Sequence, residues 1–499
     1  MGYTDPHCAE SRPVARPSRF ADNPRRYPRP LANLHRGCVK VDGNGVRTST
    51  QGCFSGTMVS AMSSSTTARA YWKPEEETLA RPALEALQLE RLKRTVARVC
   101  ENVPLYRKKF EQAKVTPGDI RALADLPRLP FTTGADLRES YPAGMLAVPL
   151  DETLRLHTSS GTTGKPKALF FSRQDVDNAA ELIARGFVAT GMHRQDIFQN
   201  MMTYGLFTGA LVAHYGAEKI GCLVIPAGPG NSDRQLLLMQ DFHTTSIHLT
   251  PSFALYFADV LEKRGIDPRK DLSLKRAFVG AEPYSEETRR KIEDGLGLRV
   301  FNSYGLSEMN GPGVAFECEE QAGMHLWEDH YIMEIIDPES GEALPPGERG
   351  ELVLTTLVRE AMPILRYRTR DITSIVDAPC PCGRTHRRIQ RITGRADDML
   401  IVRGVNIYPQ QIERILMGVP KLGRNYVIVL EGLDEMTVKV ELSEAGFDDQ
   451  LEHVVALQNE VAGLLRAEIL TKPNVDLVPP GTLPASEGKA KRVIDNRKL

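Results

Sequence analysis

Residues 158–167 of the chain read TSSGTTGKPK, a segment that combines small hydroxyl side chains with glycine and lysine. Backbone N–H groups beside glycine, hydroxyl donors and an ammonium group are the groups that bind phosphate in proteins. The spacing differs from the Walker A pattern G-x-x-x-x-G-K-[ST], since Ser159 stands in place of the first glycine and Pro166 follows Lys165. The segment predicts a phosphate loop of another class, with a solvated Ser/Thr/Gly turn as the alternative.

Further polar clusters come where loops follow predicted strands. Open α/β sheets bind ligands at such positions, so these clusters are candidates for one shared site. Each is a weak signal alone, and their joint order along the chain is the stronger one. The clusters are GAEP at 280–283, NSYGLSE at 302–308, YRTRD at 367–371, GRADD at 394–398 and the charged stretch EGKAKR at 487–492.

A group of cysteines suggests a metal. Cys380 and Cys382 are separated by one residue, and Cys318 and His325 lie upstream. Three thiols and one imidazole match a closed tetrahedral Cys₃His zinc site, which would be structural. The C-x-C spacing is tighter than usual, His386 competes with His325 as the imidazole, and buried or free thiols are the alternative.

These candidates require elements that bring them together. Short apolar runs alternate with helical stretches between residues 169 and 305, which predicts an α/β fold with a largely parallel sheet. Apolar spacing predicts a helix over 75–113. Alternating apolar and polar residues from 327 predict antiparallel strands, and a small α/β unit of about 100 residues begins near 397.

The bulk composition excludes several classes of protein. The chain has 499 residues, a formal net charge of −1 and 25% charged residues, so nothing indicates nucleic acid or an anionic membrane as partner. Its apolar runs are shorter than the about 20 residues that span a bilayer. Eight cysteines in so long a chain suggest a reducing, cytoplasmic location. Residues 1–61 are rich in arginine, proline, serine and glycine, and we expect a disordered N-terminal extension there, with an arginine-rich transit peptide as the alternative.

Taken together, the motifs resemble the adenylate-forming acyl-CoA ligases, and within them the phenylacetate branch. The stretches that carry the resemblance, from about Tyr71 to the end, are SSGTTGKPKALFFS, FVGAEP, NSYGLSE, LRYRTRDIT, ITGRADDMLIVRGVNIYP and EGKAKRVIDNRK. The resemblance implies an α/β fold with a large N-terminal adenylate-forming domain of mixed sheets over 62–396. It also implies a small, mobile α+β C-terminal lid domain over 397–499.

The resemblance also implies a reaction and its site. An aryl acid, ATP and coenzyme A would react through an acyl-adenylate, with Mg²⁺ held by Glu308. The nucleotide would be bound by Ser159, Ser160, Gly161, Thr162, Thr163, Gly164, Lys165, Gly280, Ala281, Glu282, Tyr304, Gly305, Asp371 and Arg395. Tyr304 would lie against the adenine and Asp371 would bind the ribose hydroxyls, the alternative for Asp371 being a surface acid paired with the flanking Arg368 and Arg370.

The C-terminal residues would change place between the two steps. Lys489 is the implied catalytic lysine, with Lys491 as its competitor. Asp397 is the implied hinge, and Gly404 would line the path of coenzyme A. Tyr204, Phe207, Phe253 and Tyr256 could wall an acid pocket or belong to the core.

Other functions stay open. The same adenylation could serve another aromatic acid or another acceptor, and a chain that has lost catalysis would only bind nucleotide. A role in phenylacetate breakdown is implied by the resemblance alone. We expect small-molecule partners, and we keep a homodimer open.

Overall fold

The structure, a computed structural model, describes residues 70–158, 166–396, 398, 400–403, 405–432, 435–447, 451–484 and 490–497. The N-terminal extension predicted over 1–61 lies outside the described residues. So do residues 159–165 of the predicted phosphate loop, the predicted hinge Asp397, Gly404 and Lys489. We call residues 70–396 the N-terminal part, and the described residues from 398 onward the C-terminal part.

Helices cover both parts of the chain. They are α1 (Pro74–Glu77), α2 (Arg81–Asn102), α3 (Pro104–Ala113), α4 (Gly134–Glu139), α5 (Arg173–Ala189), α6 (Thr208–Ile220), α7 (Ser232–Asp241), α8 (Pro251–Lys263), α9 (Pro268–Asp271), α10 (Glu286–Leu296), α11 (Pro409–Gly418) and α12 (Leu451–Ile469). Short 3₁₀ turns lie at Pro117–Asp119, Leu123–Arg128, Leu150–Glu152, Ser307–Met309 and Glu444–Gly446. None of the described helices combines the length and the apolar character needed to cross a bilayer.

The strands are short and mostly buried. They are β1 (Thr153–Thr158), β2 (Ala168–Ser172), β3 (Ile197–Asn200), β4 (Leu223–Ile225), β5 (Ser246–Leu249), β6 (Arg276–Val279), β7 (Arg299–Leu306), β8 (Gly311–Glu317), β9 (Met324–Leu326), β10 (Tyr331–Ile336), β11 (Gly350–Thr356), β12 (Tyr367–Thr373), β13 (Ile375–Val376), β14 (Arg388–Ile389), β15 (Leu400–Val402), β16 (Val405–Ile407), β17 (Leu422–Gly432), β18 (Glu435–Leu442), β19 (Asn474–Val478) and β20 (Val493–Asp495).

The single helix predicted over 75–113 is wrong in detail, because α1, α2 and α3 share this stretch. Ala80 and Val103 are extended where α2 and α3 begin. Pro82 and Pro104 stand in the first turns of these two helices, where the N–H that proline lacks would have no helical partner. The proline positions therefore mark where α2 and α3 begin.

A nine-stranded sheet forms the centre of the N-terminal part. Its order is β13-β14-β9-β8-β7-β6-β5-β3-β4. The strands from β4 to β7 are parallel, and those from β7 to β13 are antiparallel. The parallel half is the α/β unit that the alternation of apolar runs and helices predicts. The carboxyl ends of β6 and β7 lie side by side, so the loops that follow them open on the same edge.

Two smaller sheets complete the N-terminal part. Strands β10, β11 and β12 form an antiparallel sheet, as the alternating pattern predicts. β1 and β2 pair antiparallel with Thr158 opposite Ala168, so the ends of the predicted phosphate loop are fixed next to each other.

The C-terminal part has a core of its own. Its four-stranded sheet has the order β19-β18-β17-β20, and α11 and α12 pack with it around a cluster of apolar side chains that runs from Leu400 to Val475. The clusters of the N-terminal part contain no residue beyond Ile389. The mixed α/β sheet followed by a small α+β unit is the architecture that the sequence predicts.

Candidate active site

One cavity of about 760 Å³ brings together most of the described residues predicted to bind nucleotide. From the N-terminal part it is lined by Ala281, Glu282, Tyr304, Gly305, Asp371 and Arg395. From the C-terminal part it is lined by Gln410, Glu413, Tyr426, Ala490, Lys491 and Arg492, among others. The cavity therefore lies between the two parts and depends on how they meet.

Tyr304 and Asp371 are joined inside this cavity. The Tyr304 hydroxyl donates to Asp371 Oδ2 at 2.6 Å, and Arg395 Nη1 lies 3.5 Å from Asp371 Oδ1. Tyr304 is 8% exposed, and burial together with the neighbouring carboxylate raises the pKa of its phenol well above the usual value. The phenol therefore acts as a neutral donor, and the Asp371 carboxylate as an acceptor.

The alternative prediction for Asp371 is a surface acid that forms ion pairs with the flanking Arg368 and Arg370. Both of those guanidinium groups turn to Glu351 instead, Arg368 at 2.6 Å and Arg370 at 3.4 Å. Glu351 is fully buried on β11 and holds the neighbouring strand β12. Asp371 consequently faces the cavity rather than its sequence neighbours.

Two glycines allow close approach of the backbone at the cavity wall. A Cβ at Gly280 would lie 2.8 Å from the Ser303 carbonyl oxygen, and one at Gly305 would lie 2.2 Å from the Gly311 carbonyl oxygen. Ala281 has φ +68°, a left-handed conformation that L residues rarely adopt. Gly280 packs β6 against β7, and Gly305 packs β7 against β8, so these residues shape the wall that carries Tyr304.

Glu282 links the cavity to the C-terminal segment. Its Oε2 accepts from the Ser252 hydroxyl at 2.5 Å, and its Oε1 accepts from the backbone N–H of Ala490 at 2.7 Å. Burial raises the pKa of its carboxyl, and these hydrogen bonds offset part of that effect. Ala490 directly follows Lys489 in the chain, so Glu282 fixes the attachment point of the predicted catalytic lysine.

Glu308 is held by a cation and a phenol. It lies in the 3₁₀ turn after β7 and is 6% exposed. Its Oε1 accepts hydrogen bonds from Lys167 Nζ at 2.6 Å and from Tyr367 Oη at 2.8 Å. Burial alone would raise the pKa of its carboxyl, but the charge and hydrogen bond of Lys167, together with the other hydrogen bonds that the carboxylate accepts, lower the pKa. In the phosphate loop the residues predicted to bind nucleotide end at Lys165, so sequence reasoning missed Lys167 as the partner of Glu308, although its charge in the same GKPK stretch was a usable signal.

The aromatic residues predicted either to wall an acid pocket or to belong to the core differ in their exposure and their contacts. Phe253 is 1% exposed within an apolar cluster of the core, whereas Phe207 is 47% exposed. The Tyr204 hydroxyl lies 3.0 Å from Asn200 Nδ2 and 3.1 Å from His214 Nδ1. Phe253 therefore belongs to the core, which is one of the two predictions made for these aromatic residues.

The cysteines and one histidine converge away from the cavity. Their sulfur and nitrogen atoms all lie within 4.8 Å of one another, and all four residues are buried. The thiols of Cys318 and Cys380 are 3.7 Å apart, and Cys382 Sγ lies 3.3 Å from His325 Nε2. Ligands at about 2.3 Å from a tetrahedral zinc ion would be about 3.8 Å apart, close to the thiol spacing seen.

The competing histidine is used elsewhere. His386 Nδ1 accepts from the backbone N–H of Glu328 at 2.8 Å, and its Nε2 donates to the Glu76 carbonyl at 2.9 Å. His325 Nδ1 donates to the His386 carbonyl at 3.0 Å, which leaves Nε2 as the lone-pair nitrogen that points at the thiols. The geometry selects His325 as the imidazole of the cluster.

Sequence reasoning missed the contacts between the two parts. Glu413 on α11 accepts from Ser285 and Thr288 at the start of α10, and Arg424 pairs with Asp259 on α8. In the sequence, IERIL signals only an amphipathic helix, because nothing marks which polar residue of a helix faces another unit.

Residues 76–357 match the family model described as AMP-binding enzyme, and residues 404–497 match the model described as AMP-binding enzyme C-terminal domain. A relative in Thermus thermophilus, named phenylacetate-coenzyme A ligase, is 47% identical in an alignment of 444 residues that covers 86% of this chain and 100% of the relative. The match thus extends over the whole of that relative.

Solved structures of one protein, 2-hydroxyisobutyryl-CoA ligase, match this fold in two states. The structure in the postadenylation state in complex with R3-HIB-AMP gives a TM-score of 0.82 at 29% identity, over 87% of this chain and 93% of that chain. The structure in complex with 2-HIB-AMP and CoA in the thioesterification state gives 0.64 at 30% identity, over 86% and 93%. The arrangement of the present chain is therefore nearer to the former.

Proposed function

The chain belongs to the AMP-binding enzyme family, and from that membership we propose that it joins phenylacetate to coenzyme A through an acyl-adenylate. It is an acid–thiol ligase. The observation that carries the choice of substrate is the 47% identity to a phenylacetate-coenzyme A ligase over the entire length of that relative. The cavity of about 760 Å³, lined by the predicted nucleotide residues, supports it.

In the first step an acid carboxylate oxygen forms a bond to the α-phosphorus of ATP. The bond from this phosphorus to the bridging oxygen of the β-phosphate breaks, and pyrophosphate leaves. Asp371 would accept hydrogen bonds from the ribose hydroxyls, since an ionised carboxylate is a hydrogen-bond acceptor. Tyr304 would lie against the adenine. The phosphate loop 159–165 and Lys489 would neutralise charge on the phosphates and the attacking carboxylate.

In the second step the thiol sulfur of coenzyme A attacks the acyl carbon, AMP leaves with the bonding electron pair, and the thiol proton passes to solvent. One cavity must serve both steps, so the C-terminal part has to change its place between them. Asp397 would be the hinge, and Gly404 would line the path of the thiol. The closer match to the postadenylation state supports the view that the described arrangement belongs to the adenylation side of the cycle.

We propose Glu308 as the residue that holds Mg²⁺. The donor set fits, because a carboxylate is a hard oxygen ligand, and Lys167 and Tyr367 both contact Oε1, which keeps the side chain fixed. When bound, the ion would shield the phosphates of ATP. Lys167 itself provides a positive charge beside the phosphate loop.

A structural zinc ion is the second metal in the proposal. Cys318, His325, Cys380 and Cys382 fit it by donor chemistry, by burial and by spacing. The cluster ties the ends of β8 and β9 to the connection between β13 and β14. The Tyr71 hydroxyl also donates to the Cys382 carbonyl at 2.8 Å, so the same loop holds the start of the N-terminal part.

Elemental analysis of protein purified without added metal tests the zinc assignment. We expect about one zinc per chain, retained after dialysis against a weak chelator. The variant Cys382→Ser should lose it. Cys222→Ser is the matched control, since Cys222 is also buried but donates to the His193 carbonyl and does not belong to the cluster. Absence of zinc from the wild-type protein would overturn this part of the proposal.

The activity is tested by measuring AMP release with ATP, Mg²⁺, coenzyme A and a panel of aryl and fatty acids. AMP that depends on phenylacetate, with the thioester identified by mass, is the expected result. AMP with another acid only would keep the mechanism and remove the substrate. AMP without a thioester would indicate another acceptor, and the lack of AMP and of acid-dependent pyrophosphate exchange would favour a protein that only binds nucleotide.

A homodimer and a cytoplasmic location remain predictions. Sedimentation would test the first against the chain mass of 55.4 kDa. Fractionation of the source cells would test the second.

A further inference from the structure

Glu413 connects the two parts of the chain beside the nucleotide cavity. Its Oε1 accepts from the backbone N–H of Ser285 at 3.2 Å and from the Thr288 hydroxyl, both in the N-terminal part. Its Oε2 accepts from Tyr426 Oη at 3.1 Å within the C-terminal part. Glu413 is 9% exposed, so these hydrogen bonds are shielded from water.

The start of α10 provides hydrogen-bond donors that are already positioned to bind this carboxylate. Ser285 is the N-cap of α10, and its hydroxyl accepts from the backbone N–H of Thr288 at 3.1 Å. The first N–H groups of a helix point outward and carry partial positive charge, which favours an anion there. Thr288 is 1% exposed, so its hydroxyl has a fixed direction.

We propose that Glu413 is a positioning residue that holds the C-terminal part in the arrangement used for adenylation. This inference rests on the proposed function, because it concerns the change of place between its two steps. In the same arrangement the Glu282 carboxylate accepts from the N–H of Ala490, so Ala490, the residue after Lys489 in the chain, lies at the cavity while Glu413 is bound to the start of α10. Both bonds from α10 to Glu413 must break when the C-terminal part turns, since a hydrogen bond reaches only about 3 Å.

The expected size of the effect follows from the charge of the acceptor. Hydrogen bonds to a buried charged group change an equilibrium by about tenfold or more. Loss of such bonds in only one of two arrangements moves the population toward the other one. Adenylation should therefore suffer, while attack of the thiol on a supplied acyl-adenylate should not.

The test measures the two half-reactions separately in Glu413→Ala. Acid-dependent ATP–pyrophosphate exchange should fall about tenfold or more, and release of AMP from supplied phenylacetyl-AMP with coenzyme A should stay at the wild-type rate or rise. Arg414→Ala is the matched control: Arg414 lies on the same helix, but its ion pair with Glu468 is internal to the C-terminal part. Equal losses in both half-reactions, or the same result for both variants, would overturn the inference.

A substitution on the other side of the contact, in the N-terminal part, tests the inference independently in case Glu413→Ala misfolds. Thr288→Val keeps the shape of the side chain and removes the donor, so it should shift the half-reactions in the same direction by a smaller factor. The double variant should be no worse than Glu413→Ala alone, because both changes remove one interaction. Additive losses would count against a direct contact.

Hydrogen–deuterium exchange separates a failure of this inference from a failure of the proposed function. If the wild-type protein adenylates no acid, the proposed function fails, but the contact can still be measured. Amides of α10 and α11 should exchange faster in Glu413→Ala and Thr288→Val than in the wild-type protein or Arg414→Ala. Wild-type exchange in both variants would overturn the contact itself.

Discussion

Tyr304 and Asp371 are paired at the wall of the cavity, where the phenol donates to the carboxylate at 2.6 Å. They come from different sheets, Tyr304 from β7 and Asp371 from β12. The raised pKa keeps the phenol neutral at physiological pH, so it does not repel the carboxylate. The pair thus presents an aromatic face next to an ionised acceptor, which is what an adenosine requires.

The first prediction compares the two members of this pair. Asp371→Asn removes the ionised acceptor and should raise the KM for ATP by roughly tenfold, the size expected for hydrogen bonds to a charged group. Tyr304→Phe keeps the ring and removes one donor, so its effect on the KM should be clearly smaller. Steady-state kinetics with varied ATP would measure both, and an unchanged KM in Asp371→Asn would refute the ribose role.

The second prediction concerns the buried pair of Lys167 and Glu308. Their side chains are 17% and 8% exposed, and Nζ lies 2.6 Å from Oε1. Lys167→Met would leave the Glu308 carboxylate buried without this cation, which should lower the free energy of unfolding by roughly 3 kcal/mol. Chemical denaturation of the protein without ligands would measure the loss.

The double variant Lys167→Met, Glu308→Gln is the control for this pair. Removing both charges should restore much of the stability, because the cost lies in the unpaired charge rather than in the lost attraction. A double variant as unstable as Lys167→Met would mean that Lys167 stabilises the fold through packing.

The third prediction is a dependence of stability on pH. His248 on β5 is 4% exposed and its Nδ1 donates to Asn200 Oδ1 at 3.2 Å. Burial lowers its pKa from 6.5 to about 4, since the interior disfavours the imidazolium. The neutral form is favoured in the folded protein, so the stabilisation is complete above pH 6.5 and is lost as the pH falls toward 4. The change over this range should amount to roughly 3 kcal/mol.

Denaturation at several pH values would measure this dependence. In His248→Gln, which keeps a donor near Asn200, the part of the pH dependence that belongs to His248 should vanish. His243→Asn is the matched control, because His243 is exposed and has φ +52°, which asparagine tolerates. If the wild-type protein and His248→Gln show the same slope between pH 6.5 and 4, the histidine is not kept neutral by folding.

The elements of the fold follow from local pattern, and this explains what the sequence could predict. The alternation of apolar runs with helices indicated the parallel half of the large sheet, and parallel strands place the loops after β6 and β7 on one edge. The sequence alone therefore predicts that residues such as Ala281, Glu282 and Tyr304 lie close together.

Contacts between distant elements could not be predicted in this way. Lys167 and Glu308 are 141 residues apart, and their distance depends on how the β1–β2 pair packs on the large sheet. The choice of His325 over His386 depends on the pairing of β9 with β14, where His325 lies opposite Arg388. The sequence does not distinguish Glu413 from other polar helix residues, because its contacts depend on the packing of α11 against α10.

The last prediction concerns the two lysines near the C-terminus. Lys489 lies outside the described residues, whereas Lys491 is exposed and lines the cavity. The family resemblance points to Lys489 as the cation that meets the acid carboxylate and the α-phosphate. Lys489→Ala should therefore lower acid-dependent pyrophosphate exchange by about a hundredfold or more, since a lost charge in a transition state costs several factors of ten. Attack of coenzyme A on supplied acyl-adenylate should persist.

Lys491→Ala is the matched control, two residues away and with the same loss of charge. It should change pyrophosphate exchange far less than Lys489→Ala, because the family resemblance assigns the contact with the acid carboxylate and the α-phosphate to Lys489. If the larger loss falls on Lys491→Ala, the catalytic lysine is Lys491. If Lys489→Ala impairs both half-reactions equally, Lys489 does not leave the cavity between the steps and the change of place of the C-terminal part is refuted.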